Sequence, residues 1–174
     1  PMMAAASVFC GGIWGAIPAY FRAKWRTNET IFTLMMNYVA LKWLTYLQYG
    51  PWKDPAALGF PKIPGFSSNA VLPDIFGLHA GWIIALILVV VMHLFIHHTQ
   101  RGYEIEVVGG SENTGRYAGM NVKRIIIYTI FLSGGLCGLC GMIEAAGVQR
   151  TLSVDITRGA GYTAIITSWL SFLK

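Results

Sequence analysis

Apolar residues along this chain come in long uncharged runs, and the polar ones are gathered between them. Residues 2–21 are 20 consecutive positions without a charge, residues 125–143 are 19, and residues 81–96 are 16 interrupted by His93. A bilayer-spanning helix needs about 20 such positions, so each run predicts one. Residues 31–49 make a further span, flawed by Lys42. The alternative is a soluble protein with buried core helices, but those are shorter and alternate with charged faces, which the uncharged runs lack. The expected fold class is all-α, a polytopic transmembrane helical bundle forming a single domain. Its spans fall at about 2–21, 31–49, 81–98 and 124–146, with the start of a fifth at 162–174. Between them lie external loops at 50–80 and 147–161 and a cytoplasmic polar loop at 99–123.

Composition agrees with this pattern. The 174 residues are 55% hydrophobic and 12% charged, against about 25% charged in soluble domains. A net charge of +5 raises the question of nucleic acid, but the basic residues are split among loops and form no long run, so no nucleic-acid partner is expected. The positive-inside rule accounts for them better. Arg22, Lys24, Arg26, Arg101, Arg116, Lys123 and Arg124 fall on the side read as cytoplasmic, and Lys53, Lys62, Arg150 and Arg158 on the other. A secretory signal is set aside, because Pro1-Met2-Met3 has no basic start and no small-residue cleavage site follows. The apolar run that has just begun at residue 165 suggests an internal fragment of a longer polytopic protein.

Residues 102–121, GYEIEVVGGSENTGRYAGMN, form the polar island between two apolar spans. Ser111 can cap a short helix with Glu112 in its first turn, Arg116 in its last and Gly119 just past its end, both charges complementing the helix dipole. That predicts a helix of about two turns lying in the cytoplasm. Gly109 and Gly110 read as a flexible joint before it, and Tyr117, Ala118 and Met120 as a small apolar patch. Such a helix suits a membrane domain that receives force from a soluble motor.

Other polar positions admit two readings each. Gly11, Gly12 and Gly15 allow close helix contact in the first span, and Pro18 would kink its inner end. Thr30, Thr33 and Asn37 line one side of the second span, either bonding a neighbouring helix or meeting a passing solute. Lys42 stands about 10 Å short of the outer end at Tyr49 by the helical rise; it either snorkels or serves the solute path. Trp43, Tyr46, Tyr49 and Trp52 resemble an outer aromatic belt. Glu144 either is solvated at the outer interface or faces the mouth of the path. In the fourth span, Ser133, Cys137, Gly141 and Ala145 recur every fourth residue, with Gly134 and Gly138 as a second small ridge, so another helix should pack there. Cys137-x-x-Cys140 lacks the ligands of a zinc site and reads as packing, as does Cys10, a small buried residue. His93 and His97, one turn apart with His98 beside them, have no further ligand in the span, so no metal is expected.

The succession GYEIEVVGGSENTGRYAGMNVKR, followed by an apolar glycine-rich span, resembles the cytoplasmic coupling loop of ABC importer permease subunits. The branch is the one serving simple sugars, nucleosides and branched-chain amino acids. Upstream, GGIWGAIPAYFRAKWRTNETIFTLMMNYVA looks most like the nucleoside permeases; downstream, GMIEAAGVQRTLSVDITRGAGYTAI continues the likeness. Gly109, Arg116, Tyr117, Ala118, Gly119 and Asn121 match the family's G…RYAGIN pattern, with Met120 replacing isoleucine. The resemblance makes 99–123 the ATPase-coupling loop, Ser111 and Glu112 included. The chain departs from the pattern at Asn113-Thr114-Gly115, where the family's helix starts alanine-rich, and at Glu106, where a basic residue is common. Gly115 costs a helix about 1 kcal/mol relative to alanine, so docking on a partner would be what orders it.

The resemblance implies the permease subunit of an importer moving a small polar solute, foremost a nucleoside, across a bacterial plasma membrane. It also implies an ATP-binding-cassette subunit, a second permease subunit, identical or paralogous, and an extracytoplasmic solute-binding protein as partners. The chain has no G-x-x-x-x-G-K-[ST] phosphate loop, so it is expected to be no enzyme and to bind no cofactor, with ATP and magnesium on the partner. Thr30, Thr33, Asn37, Lys42 and Glu144 would lie along the translocation pathway. An ion-coupled secondary transporter or channel is the first rival; it would want buried carboxylates or broken helices near the midplane. An intramembrane enzyme would need a nucleophile with a base, or a carboxylate pair, and the spans contain neither.

Overall fold

A computed structural model describes residues 2–25, 27–54, 63–66, 71–72, 74–75, 78–153, 156 and 159–172. Arg26, Lys62 and Arg158, assigned to loops above, lie outside the described residues. Helix α1 runs Met2–Trp25 and α2 runs Glu29–Tyr49. A two-residue antiparallel ladder follows, β1 (Asp74–Ile75) against β2 (Leu78–His79). Then come α3 (Gly81–His98), α4 (Gln100–Gly110), α5 (Glu112–Tyr117) and α6 (Val122–Ile143), which continues as a π-helical turn over Glu144–Gln149, and finally α7 (Ala160–Phe172). The fold is an all-α helical membrane bundle. Among the described residues three helical stretches are long and apolar enough to cross a membrane: Met2–Trp25, Gly81–His98 and Val122–Gln149. The 21 residues of α2 suffice in length, but Thr33, Asn37, Lys42 and Gln48 lower its apolarity.

Local chemistry sets the helix ends. The Asn28 side chain accepts hydrogen bonds from the Thr30 and Ile31 amides at 3.1 and 3.5 Å, starting α2. Thr99, extended at ψ 150°, separates α3 from α4, and its hydroxyl accepts from the Gly102 amide at 3.1 Å. The segment 99–123 is therefore not a loop with one short helix, because α4 occupies its first half. Gly109 and Gly110 are the last turn of α4, whose Val107 carbonyl accepts from the Ser111 amide at 3.1 Å, and they form no joint. Tertiary burial explains this, since Ile105 and Val108 on one face of α4 pack with Val122, Ile125 and Ile126 of α6. That burial outweighs the cost of glycine in the helix.

The main helix pair is α1 with α6. A β-carbon placed on Gly11 would stand 2.6 Å from the Gly134 carbonyl oxygen, and one on Gly134 would stand 2.6 Å from that of Gly11. Gly15 faces the Ile130 carbonyl and Gly134, while Gly138 faces the Ser7 carbonyl. The register Ser7–Gly138, Gly11–Gly134, Gly15–Ile130 makes the helices antiparallel. Two small-xxx-small ridges thus let backbone meet backbone. The ridge α6 uses is Gly134 and Gly138; Gly141, on the other ridge, has nothing within 4 Å of where its β-carbon would stand. At the far end the α2–α3 connection is stitched to the π-turn and the residues after it. The Leu72 amide donates to Ala146 at 3.2 Å, the Phe66 amide to Arg150 at 2.9 Å, and the Thr151 hydroxyl to Ile63 at 3.1 Å. The helical stretch begins at Val122 and lasts to Gln149, three residues beyond the expected 146, so Glu144 stands within it and not at its end.

Gly134→Leu in the full-length protein should lower thermal stability in detergent by overpacking worth about 1–3 kcal/mol. Gly141→Ala, which meets no neighbour and removes a helical glycine, should leave it unchanged or raise it, and equal melting of the two variants would contradict the packing described.

Candidate coupling site

The end of the molecule where α1 stops and α6 starts carries α5. Ser111 is extended at φ −160°, and its Oγ accepts from the Thr114 amide at 3.4 Å. Glu112 opens the helix and Arg116 closes it, with 3.9 Å between Arg116 Nη2 and Glu112 Oε2. Gly119 sits in the left-handed region at φ +76°. Its amide donates to Arg116 at 3.0 Å and the Met120 amide donates to Gly115 at 2.9 Å, the paired bonds of a Schellman stop. Asn121 belongs to the next helix, where its Oδ1 accepts from the Arg124 amide at 3.3 Å and caps α6.

Gly115 faces inward as the one buried residue of α5. A β-carbon there would stand 2.8 Å from Val108 Cγ2 and 3.5 Å from Val122 Cγ2, so α5 lies directly on α4 and α6. The chain's own packing thus gives the helix a seat, with Gly115 against Val108 and Val122. Met120 packs against the same Val108 cluster and does not join an exposed patch. What α5 offers outward is Tyr117, 94% exposed, and the exposed Ala118 beside it. A contact legible in no local pattern ties α5 to α1: Arg22 Nη2 lies 3.9 Å from Glu112 Oε1. Exposed pairs of this kind add little stability.

Between the α1–α2 turn and α5 is a polar recess of ≈ 1110 Å³, lined by Arg22, Lys24, Thr30, Glu112, Arg116 and Lys123 among others. Thr30, read above as a pathway residue, faces this recess together with Ser111. Thr33 donates its hydroxyl to the Thr30 carbonyl at 3.0 Å. Asn37 and Lys42 are exposed on α2, and Glu144 is half-buried at the opposite end of α6. These three line neither the recess nor the apolar cleft of ≈ 560 Å³ between α1, α2 and α6. That cleft is walled by Trp14, Trp43, Cys10 and Cys137. Cys10, Cys137 and Cys140 are free and exposed, so Cys10 is not the buried residue expected. Trp43, 64% exposed, also borders this cleft. His97 Nδ1 lies 3.0 Å from the His93 carbonyl oxygen.

A bundle with three helical stretches long and apolar enough to cross a membrane, and a short exposed helix seated at its basic end, is that of a multi-pass membrane protein. Residues 1–173 match the family described as branched-chain amino acid transport system / permease component. The chain is 33% identical over 95% of its length to a glucose ABC transporter permease protein of Haloferax volcanii, and 30% over 98% to the guanosine ABC transporter permease protein of Bacillus subtilis. It is 32% identical over 91% of its length to the ribose import permease protein of Escherichia coli. The chain spans 47%, 50% and 47% of these relatives' lengths, respectively. No solved structure matches. The chain belongs to this family of ABC transporter permease components.

Gly115→Leu should lift α5 from its seat and speed amide hydrogen exchange across Thr114–Ala118 by on the order of tenfold. Gly115→Ala should speed it less, and adding Val108→Ala, which removes the methyl that the new β-carbon meets, should bring it back toward wild type; exchange unchanged in Gly115→Leu would contradict the seat.

Proposed function

We propose that the chain is part of the membrane-spanning subunit of an ATP-driven importer, and that α5 is the element on which the ATPase subunit acts. The observation that carries this reading is the helix itself: it presents Tyr117 and Ala118 outward while Gly115 rests on α4 and α6. A push on α5 would pass through Val108 and Val122 into α6, and through Glu112 and Arg22 into α1. Because α1 and α6 touch backbone to backbone, they would move as a pair against α2, and alternating access would follow as a rigid-body rearrangement. Six described basic residues, Arg22, Lys24, Arg101, Arg116, Lys123 and Arg124, belong to this end, which supports a cytoplasmic assignment. ATP and magnesium stay on the partner, since the chain has no phosphate-loop motif. A second permease subunit and an extracytoplasmic solute-binding protein complete the assembly, in a bacterial plasma membrane.

The solute is a small hydroxyl-rich molecule, a nucleoside in the first instance. The guanosine permease of Bacillus subtilis and a nucleoside permease of Lactococcus lactis, each 30% identical, support this. The glucose and ribose relatives favour a second reading, a simple sugar. Relatives named as import permeases support the inward direction. Thr33, Asn37, Lys42 and Glu144 remain candidates for contact with solute along the path. The family match leaves an ion-coupled transporter or channel without support.

In the intact complex, a cysteine at Ala118 should crosslink to the ATPase subunit, and Arg116→Glu should uncouple ATP hydrolysis from uptake. Neither effect in a folded complex would refute the coupling role. Unlabelled nucleosides should compete with labelled nucleoside uptake better than ribose or leucine does, and competition by ribose alone would move the assignment to sugars.

A further inference from the structure

Among the described residues, the recess between the α1–α2 turn and α5 is lined by four cationic side chains and one carboxylate. Arg22, Lys24, Arg116 and Lys123 line it against Glu112. Glu112 stands 3.9 Å from each arginine. Lys24 and Lys123 have no acidic partner among the described residues. Lys24 instead lies over the Trp25 ring, 4.7 Å from its centroid, and 3.4 Å from the Tyr20 hydroxyl. Tyr20, Phe21, Trp25 and Phe32 form one aromatic cluster here, with ring centroids 4.9 to 6.2 Å apart. Tyrosine and tryptophan rings such as Tyr20 and Trp25 settle at the level of lipid headgroups. The wall of the recess also includes Ala23, Val122 and Ile126, so apolar surface adjoins the cations, which suits a ligand with an acyl part better than a free ion.

We propose that this recess binds the phosphate of an anionic phospholipid, with Lys24 and Lys123 holding the phosphate oxygens and the lipid seated between α1 and α5. The inference rests on the orientation proposed above, which puts this end at the cytoplasmic leaflet. Anionic lipids are drawn to basic clusters there. A lipid so placed would bear on both helices joined by Arg22 and Glu112, and so make the seating of α5 sensitive to the surrounding membrane.

The test uses the full-length permease in its assembled complex, extracted from nanodiscs of mixed phosphatidylglycerol and phosphatidylcholine, with retained lipid read by native mass spectrometry. The wild type should retain phosphatidylglycerol in preference to phosphatidylcholine. Lys24→Gln with Lys123→Gln should lose that preference by on the order of tenfold, while Arg101→Gln, a charge loss outside the recess, should keep it. Unchanged retention in the double variant overturns the proposal. So does displacement of the lipid by millimolar inorganic phosphate, which would make the site one for free phosphate. Release of the ATPase subunit from the double variant with lipid retention intact would also overturn it, while leaving the coupling role of α5 standing.

Discussion

Two helices in a bilayer gain nothing by hiding apolar side chains from each other, because lipid is as apolar as they are; they hold together by close approach. Here that approach is made by glycine. Gly11 of α1 meets Gly134 and Gly138 of α6 at distances that leave no room for even a methyl group, and Gly15 meets Gly134 almost as tightly. The antiparallel register that results brings Arg22 and Lys24 to the same end as Val122 and Lys123. Everything at that end depends on it: the seat for α5, the Arg22–Glu112 contact and the cationic recess. At the other end it leaves the π-turn of α6 free to accept the amide of Leu72.

The small helix α5 shows how a weak element is made definite. Six residues with an internal glycine would not hold a helix in water. It persists because Ser111 caps it, Gly119 stops it with a Schellman pair, and Gly115 lets it lie flat on Val108 and Val122. Within Asn113-Thr114-Gly115, the glycine is therefore a packing feature. A larger side chain would lengthen the distance to α4, which is the distance through which force on α5 would reach the bundle.

The parts of this arrangement visible beforehand are those governed by near neighbours. Ser111, Glu112, Arg116 and Gly119 lie within two turns of one another, so a cap, two charges and a stop could be read directly. The apolar runs likewise marked α1, α3 and α6. Less visible was α4, since Gly109-Gly110 reads as a joint until Ile105 and Val108 are seen to bury against α6. The phase of α6 was ambiguous for the same reason. Two small-residue ridges run along it, and the choice between them belongs to the helix that packs there.

The sequence by itself determined that the chain is a set of membrane helices with one polar segment, and where that segment's short helix begins and ends. These are matters of hydropathy over about 20 residues and of hydrogen bonds spanning a single turn. The tertiary structure alone decided that α1 lies on α6, that Gly115 is a seat, that Thr30 and Lys24 share a recess with Glu112, and that Trp43 walls a cleft. Each of these joins residues far apart in the chain. Contacts of that kind follow from the shapes of two surfaces together, and no local pattern carries both.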